Sequence, residues 1–504
     1  MTAQNRFLHS PYVIGGIVFV TGGVVMAVEI LGSRILAPFL GTSLPVWTSV
    51  IGVILAALSL GYWFGGRLAD RSASPHGLAR VLFASSVSIS LIAFLDVPLL
   101  AIVSIPPLDL RIKAVFASAV LLAPPSVLLG IVTPYAVRLT IQSVSAAGAH
   151  VGSLYALSTL GSIIGTFATG FFFLAYFHTN AILFTLSALV LVCSLILQPF
   201  RIRSVSRITG IAIIAIGSFS VSLFHSLASQ VGYVSVPSSY HSIRIIDTTD
   251  SKTKRPKRSL FLNGALHSVG YRDNPGELAH EYSRFYGLFA LTRPQPERVL
   301  MLGGGAYAYP QNFLRSFASA RMDVVEIDPA VTRVAREFFS LSDDVRLTIY
   351  HEDARTFLNR SDATYDAIFG DVFFSSYAIP FQVVTKESFE QINRLLRDDG
   401  IFIANVASAV EGKKGRTIRA IYHTAKTVFE HVYIFPLTPD KPDAMQNVML
   451  VATKKGNPFP SQTGTEEFDS LLAKRWTKPI PQDVPLLSDD YAPVDQFMAN
   501  AAER

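Results

Sequence analysis

The first 230 residues hold only four acidic side chains, Glu29, Asp70, Asp96 and Asp109, and are otherwise dominated by long apolar runs. Hydrocarbon offers no hydrogen-bond partner to a backbone amide, so a crossing segment of about 20 apolar residues must close its bonds within a helix. Seven runs reach that length, at roughly 11–31, 46–66, 79–104, 114–136, 152–176, 180–199 and 208–230. Beyond residue 240 acidic residues become common. The chain therefore reads as two kinds of polymer joined end to end. A transmembrane helical domain is expected over 1–232, a small β element over 233–275, and an ordered α/β domain over 276–504.

Composition agrees with a membrane part. Charged residues make up 16% of the chain, against about a quarter in soluble domains. The first apolar run continues past signal-peptide length, so no cleavable signal is expected. A multi-pass protein of the cell (inner) membrane, with the lipid bilayer as its partner, is the expectation. Arg67, Arg71 and Arg80 follow the second run, Arg138 the fourth, and Arg201, Arg203 and Arg207 the sixth. The excess of positive charge marks the cytoplasmic face. Seven crossings would then place the C-terminal domain on the opposite side, away from a ligand made in the cytoplasm, so the sequence leaves its side open.

The net charge of +6 does not form a stripe with interleaved aromatics, and no nucleic-acid partner is expected. The one dense basic run, Lys252–Arg258, reads as the top of a hairpin. A lone cysteine, Cys193, excludes disulfides within the chain and cysteine-based metal sites. Within the membrane part, Glu29 is an ionisable group in a span, either functional or paired with Arg34 or Arg138. Gly61 with Gly65, and Gly161 with Gly165, have the spacing that lets helices approach closely. The run Gly65–Arg71 has a weak likeness to the loop signature of major-facilitator transporters.

From about residue 234 the pattern becomes that of strands and helices in alternation. Tyr240–Asp247 and Ser259–Leu262 read as strands of the β element. A helix is expected over Gly276–Thr292. Strands follow at Arg298–Leu302, Met322–Glu326, Arg346–Tyr350, Ala367–Phe369 and Gly400–Val406, with helices near 312–320, 330–339, 386–396 and 413–428, and paired strands near 431–435 and 446–453. This alternation predicts a doubly wound parallel sheet, which binds ligands at the carboxyl ends of its strands.

The chemistry lies at those ends. Gly303 and Gly305, beside Gly304, let a backbone approach a ligand without side chains between. Glu326, about 20 residues on, suits the two hydroxyls of a ribose. Asp353, after the third strand, suits an adenine amino group, and for it and Glu326 ligand contact is favoured over a helix N-cap role. Asp371, after the fourth, faces the place for the reactive end of the ligand. Gly303, Gly305 and Ala308 also fit the dinucleotide pattern, so an NAD enzyme competes. Against it, Tyr309-Pro310 is expected to delay the helix that this pattern opens at the glycines.

Several runs together carry a resemblance. They are Glu29–Pro38 (EILGSRILAP), Tyr155–Ser162 (YALSTLGS), Leu302–Gly305, Val325–Asp328, Ile379-Pro380 with Thr385–Glu387, and Ser488–Val494 (SDDYAPV). With these the chain resembles the polyamine synthase family, spermidine synthase and related aminopropyltransferases, and within it the branch fused to membrane spans. The resemblance implies a Rossmann-like, class I methyltransferase-type domain behind a multi-pass α-helical membrane domain. It implies transfer of aminopropyl from decarboxylated S-adenosylmethionine, a co-substrate with no permanent cofactor and no metal, to putrescine or another amine. Carried over by motif, Glu326 would hold the ribose and Asp353 with Ala354 the adenine. His241 would stand where a glutamine faces the nucleoside, Asp371 would accept the proton, and His280 with Glu281 would lie on the substrate side. Relatives often pair as homodimers.

The chain also departs from the family. Gly-Gly-Gly-Asp-Gly reads Gly303-Gly304-Gly305-Ala306-Tyr307, and Asn263-Gly264 replaces Asp-Gly in the early hairpin. Phe373–Ser376 stands where a second Asp is expected. A dication such as putrescine needs carboxylates to offset its desolvation. Glu277, Glu281, Asp489 and Asp490 are the candidates to supply them. The competing functions are a methyltransferase using intact S-adenosylmethionine, a transporter with a synthase-like sensing domain, and a noncatalytic scaffold.

Overall fold

The computed structural model describes residues 10–501 apart from 107, 142–146, 199–207, 252, 373–379, 456–458 and scattered positions between 209 and 231. The chain divides into two compact units, Met1–Val231 with Val236–Ser239, and Gly232–Ser235 with Tyr240–Arg504.

Among the described residues of the first unit, five helices are long and apolar enough to cross a membrane: Pro11–Leu40, Leu44–Ser72, Pro75–Ser104, Ala147–Tyr176 and Thr179–Leu197. The expected fourth run, 114–136, is not one straight helix. It forms Leu110–Leu121 and Ala123–Thr140, bent by 53°. Pro124 and Pro125 lie just past the bend, where proline removes a backbone donor and crowds the preceding turn. Counting the bent pair as one gives up to six candidate spans among the described residues. The seventh run, 208–230, lies largely outside the described residues, as do Arg201, Arg203 and Arg207.

The expected close approach of helices is present. A methyl group on Gly161 would collide with the Phe19 carbonyl, and one on Gly165 with the Gly23 carbonyl, so the helices Pro11–Leu40 and Ala147–Tyr176 pack backbone to backbone. Arg138 is not the partner of Glu29. It lies 3.6 Å from Asp70, which links the ends of the helices Leu44–Ser72 and Ala123–Thr140.

The second unit begins with an antiparallel sheet of β1 (Tyr233–Val236), β2 (Ile243–Thr249), β3 (Pro256–Leu262) and β4 (Ala265–Tyr271), in that order. Asn263 and Gly264 join β3 to β4, both with positive φ (49° and 83°), the conformation of a tight two-residue hairpin. The basic run lies at the β2–β3 hairpin, and three of its described side chains are paired. Arg255 binds Asp273 and Glu277, Lys257 lies near Asp250, and Arg258 holds Asp247.

A seven-stranded sheet follows: β5 (Arg298–Leu302), β6 (Arg321–Val325), β7 (Leu347–Tyr350), β8 (Tyr365–Gly370), β9 (Leu396–Ser408), β10 (His431–Pro436) and β11 (Gln446–Thr453). Its order is β10-β11-β9-β8-β5-β6-β7. Only β11 runs against its neighbours. This is the Rossmann-like, methyltransferase-type sheet. Alternate strand residues feed two cores. Leu300, Leu302, Ile368, Phe402 and Ala404 face one layer of helices. Val299, Met301, Phe369, Ile401 and Ile403 face the other. Order reverses between β5 and β8, and the crevice at their carboxyl ends is where such sheets bind ligands.

Two helix expectations need correction. Gly276–Thr292 is not one helix: only Glu281–Arg284 is α-helical, and Phe285–Leu291 is a 3-10 helix. Leu278 bridges to Gly270 of β4 and Arg255 draws Glu277 outward, so sheet pairing overrides the helical spacing. The helix expected at 312–320 is Ala308–Ser316. Pro310 sits in its first turn, where backbone donors need no helical partner, so the proline does not delay the helix after the glycines.

Candidate active site

The end of β5 passes directly against the end of β8. Asp371 N donates to Leu302 O at 2.8 Å, and Gly303 N donates to Val325 O at 2.8 Å. Gly303 has φ 91°, and a methyl group there would lie 2.8 Å from the Asp371 carbonyl oxygen. A side chain at this position would separate the two strand ends. Tyr307 is left-handed too, at φ 56°, and its buried hydroxyl is held 2.7 Å from Thr332 Oγ1. Packing and that bond keep a tyrosine in a conformation that ordinarily favours glycine.

Glu326 is buried below the glycine loop. Its Oε2 accepts from Gly304 N at 2.9 Å and Gly305 N at 3.3 Å, and its Oε1 accepts from Asp328 N at 3.0 Å. A carboxylate has about four acceptor positions, so capacity remains toward the cavity. Asp353 caps the helix Ala354–Arg360 by accepting from Thr356 N at 3.0 Å. The cap is thus real, and Asp353 also lines the cavity with Ala354. His241 Nδ1 lies 3.1 Å from Asp328 Oδ2.

These residues enclose a cavity of about 280 Å³, whose walls include Tyr240, His241, His267, Gly303, Glu326 and Asp371. No Lys or Arg is among its described lining residues. The structure therefore gathers Gly303, Gly305, Glu326, Asp353, Ala354, His241 and Asp371 around one space. His267, beside His241, was not singled out in the sequence. Burial, reinforced by the neighbouring His241, pushes its pKa down to about 3, so it is neutral at physiological pH.

Asp371 stands between this cavity and a smaller one of about 30 Å³ lined by Ser268, His280, Tyr282, Tyr286 and Tyr309. Burial pushes its pKa up to about 6, offset by hydrogen bonds from Asn405, Tyr282 and Tyr286. Asn405 Nδ2 donates to Oδ1 at 3.1 Å and Tyr282 to Oδ2 at 3.2 Å. Tyr282 and Asn405 were missed in the sequence. Asn405 lies inside a buried strand with no local motif, whereas Tyr282 follows the His280-Glu281 pair closely.

His280 reaches the small cavity, and burial lowers its pKa from the ordinary histidine value. Glu281 does not line either cavity among the described residues; it points to Lys474 in an ion pair. Two of the other candidate carboxylates are similarly engaged, Glu277 with Arg255 and Asp489 with Arg355, whereas Asp490 lines neither cavity among the described residues. Phe373–Ser376 and Ile379 lie outside the described residues.

Residues 280–461 match the family described as the spermine/spermidine synthase domain. A polyamine aminopropyltransferase of Vibrio vulnificus is 30% identical over 189 residues, covering 36% of this chain and 58% of the relative. One from Streptococcus uberis is 32% identical over 146 residues, covering 28% and 51%. The chain thus spans somewhat over half the length of these transferases. Among solved structures, a probable spermidine synthase from Corynebacterium glutamicum is similar at 26% identity and TM-score 0.41, over 47% of this chain and 84% of that one. The likeness to the spermine/spermidine synthase domain is thus carried by residues 280–461 of the second unit.

Proposed function

We propose that this protein is a membrane-bound, spermidine synthase-like aminopropyltransferase that uses decarboxylated S-adenosylmethionine as donor and an amine as acceptor. The observation that carries the reading is Asp371, a half-buried carboxylate with a pKa raised to about 6, at the junction of a nucleoside-sized cavity and a smaller one. In the reaction, the lone pair of the amine nitrogen forms a bond to the donor carbon next to sulfur. The carbon–sulfur bond breaks, its electron pair stays on sulfur, and methylthioadenosine leaves as a neutral thioether. The proton lost by nitrogen passes to Asp371. A base with a pKa near the working pH suits this transfer.

On the donor side, Glu326 would receive the ribose hydroxyls, with Asp353, Ala354 and His241 around the base; that all four line one cavity supports this. The sulfonium is already a good leaving group, so positioning accounts for most of the acceleration. The cavity has no cationic side chain for the carboxylate of intact S-adenosylmethionine among its described lining residues, which favours the decarboxylated donor over a methyltransferase reading. The apolar helices would hold the chain in the cell membrane.

Calorimetric titration of the detergent-purified chain with decarboxylated S-adenosylmethionine, S-adenosylmethionine, methylthioadenosine and NAD tests the reading. Preference for the first and third is expected. Preference for intact S-adenosylmethionine would make the protein a methyltransferase, and binding of NAD alone would overturn both.

A further inference from the structure

We propose that the acceptor consumed at this site carries a single amino group and a neutral hydrogen-bonding far end, such as a hydroxyl, in place of the second ammonium of a diamine. The inference rests on the transfer reaction proposed above and names its substrate class.

The small cavity beyond Asp371 has one carboxylate in its described lining, Asp371 itself. No acidic residue occurs between Val372 and Pro380, and Ala306 occupies the glycine loop where the family carries a carboxylate. The acids nearest in sequence to the cavity are engaged elsewhere. Arg255 holds Glu277 through two hydrogen bonds, and Lys474 holds Glu281. A reacting diamine would bring a second ammonium into this space with no carboxylate besides Asp371, the proton acceptor, in the described lining to offset its desolvation. The donor already brings an ammonium of its own.

The cavity instead offers neutral polar atoms. His280 Nε2 and the Tyr309 hydroxyl are both buried and without hydrogen-bond partners among the described residues. Such atoms are costly unless a ligand or water satisfies them. Tyr309 is 6% exposed, and its ring is fixed against Tyr286 and Phe369, with centroids at 4.9 and 5.0 Å. Burial favours the neutral form of His280. A neutral imidazole and a phenol can each donate to or accept from a hydroxyl. A space of about 30 Å³ holds one group of that size.

Full-length protein in detergent, supplied with decarboxylated S-adenosylmethionine, is assayed for aminopropylated product with three acceptors. These are putrescine, the amino alcohol in which one putrescine nitrogen is replaced by oxygen, and butylamine. The amino alcohol is expected to exceed putrescine in kcat/KM by about tenfold or more, the scale of one unmet buried polar group. Tyr309→Phe removes only an unpartnered hydroxyl and so preserves the fold. It is expected to shrink the advantage of the amino alcohol over butylamine. Equal or better turnover of putrescine would overturn this inference and leave aminopropyl transfer standing. An unchanged amino alcohol to butylamine ratio in Tyr309→Phe would also overturn it. Absence of product from all three acceptors would overturn the inference together with the proposed function.

Discussion

The side-chain amide of Asn405 donates to Asp371 Oδ1 at 3.1 Å, tying the carboxylate after β8 to the neighbouring strand β9. Asn447 on β11 donates to Asn405 Oδ1 at 2.9 Å. The oxygen of Asn405 is thereby occupied, and its nitrogen is the atom left to face Asp371. The bond stabilises ionised Asp371 and partly offsets the effect of burial. As a base, Asp371 works when ionised, so activity should be present above its pKa and lost as pH falls through about 6. Asn405→Leu removes a bond that lowers this pKa, so the acid limb of kcat/KM should move to higher pH. A pH–rate profile of both proteins checks this, and an unmoved limb would show that Asn405 does not act on Asp371.

Asp371→Asn keeps the shape of the side chain and removes the base. A loss of about 10²–10⁴ in kcat is expected, with methylthioadenosine binding changed by no more than a few-fold. Because burial disfavours the ionised carboxylate, the thermal midpoint at pH 8 should be unchanged or higher. Rapid-quench kinetics and a thermal melt on the same preparation give the two readouts.

Glu326→Gln should weaken methylthioadenosine binding by about tenfold or more, the range for a hydrogen bond to a charged group. The substitution also replaces one acceptor oxygen by a donor opposite backbone amides of Gly304, Gly305 or Asp328. Equal affinity in calorimetry would remove Glu326 from the nucleoside site.

Gly303→Ala should act on geometry without touching charge. Its φ of 91° and the 2.8 Å approach to the Asp371 carbonyl leave no room for a methyl group. Backbone strain of this kind costs about 1–3 kcal/mol, and relief by separation of β5 from β8 would displace Asp371. Lower thermal stability together with lower kcat is the expected pair of outcomes.

Asp366 offers a contrast away from the cavity. Fully buried, it accepts from Glu297 N and Arg298 N at 2.6 and 3.0 Å and pairs with Arg397 at 2.8 Å. Asp366→Ala leaves these donors without their partner, and a loss of about 3–5 kcal/mol is expected. Denaturant unfolding should show the loss, while calorimetry should show donor affinity retained in the folded fraction.

The sequence by itself determined the two-part character of the chain, because apolar length and the scarcity of acids are local properties that lipid and water read directly. It also determined the alternation of strands and helices and the acids at successive strand ends, since strand ends and loops are marked by glycine and aspartate. Tertiary structure decided what those marks could not. Pairing of Leu278 with Gly270 dissolved an expected helix, and the proline pair at 124 and 125 bent an expected straight run. Glu277, Glu281 and Asp489 looked available for a dication until their partners Arg255, Lys474 and Arg355, 22, 193 and 134 residues away, were seen beside them. Asn405 and Tyr309 acquired meaning only through strands and helices packed against β8. Which charges are engaged, and which polar atoms stand buried without partners, depends on contacts between residues far apart in the chain. No spacing along the sequence encodes them.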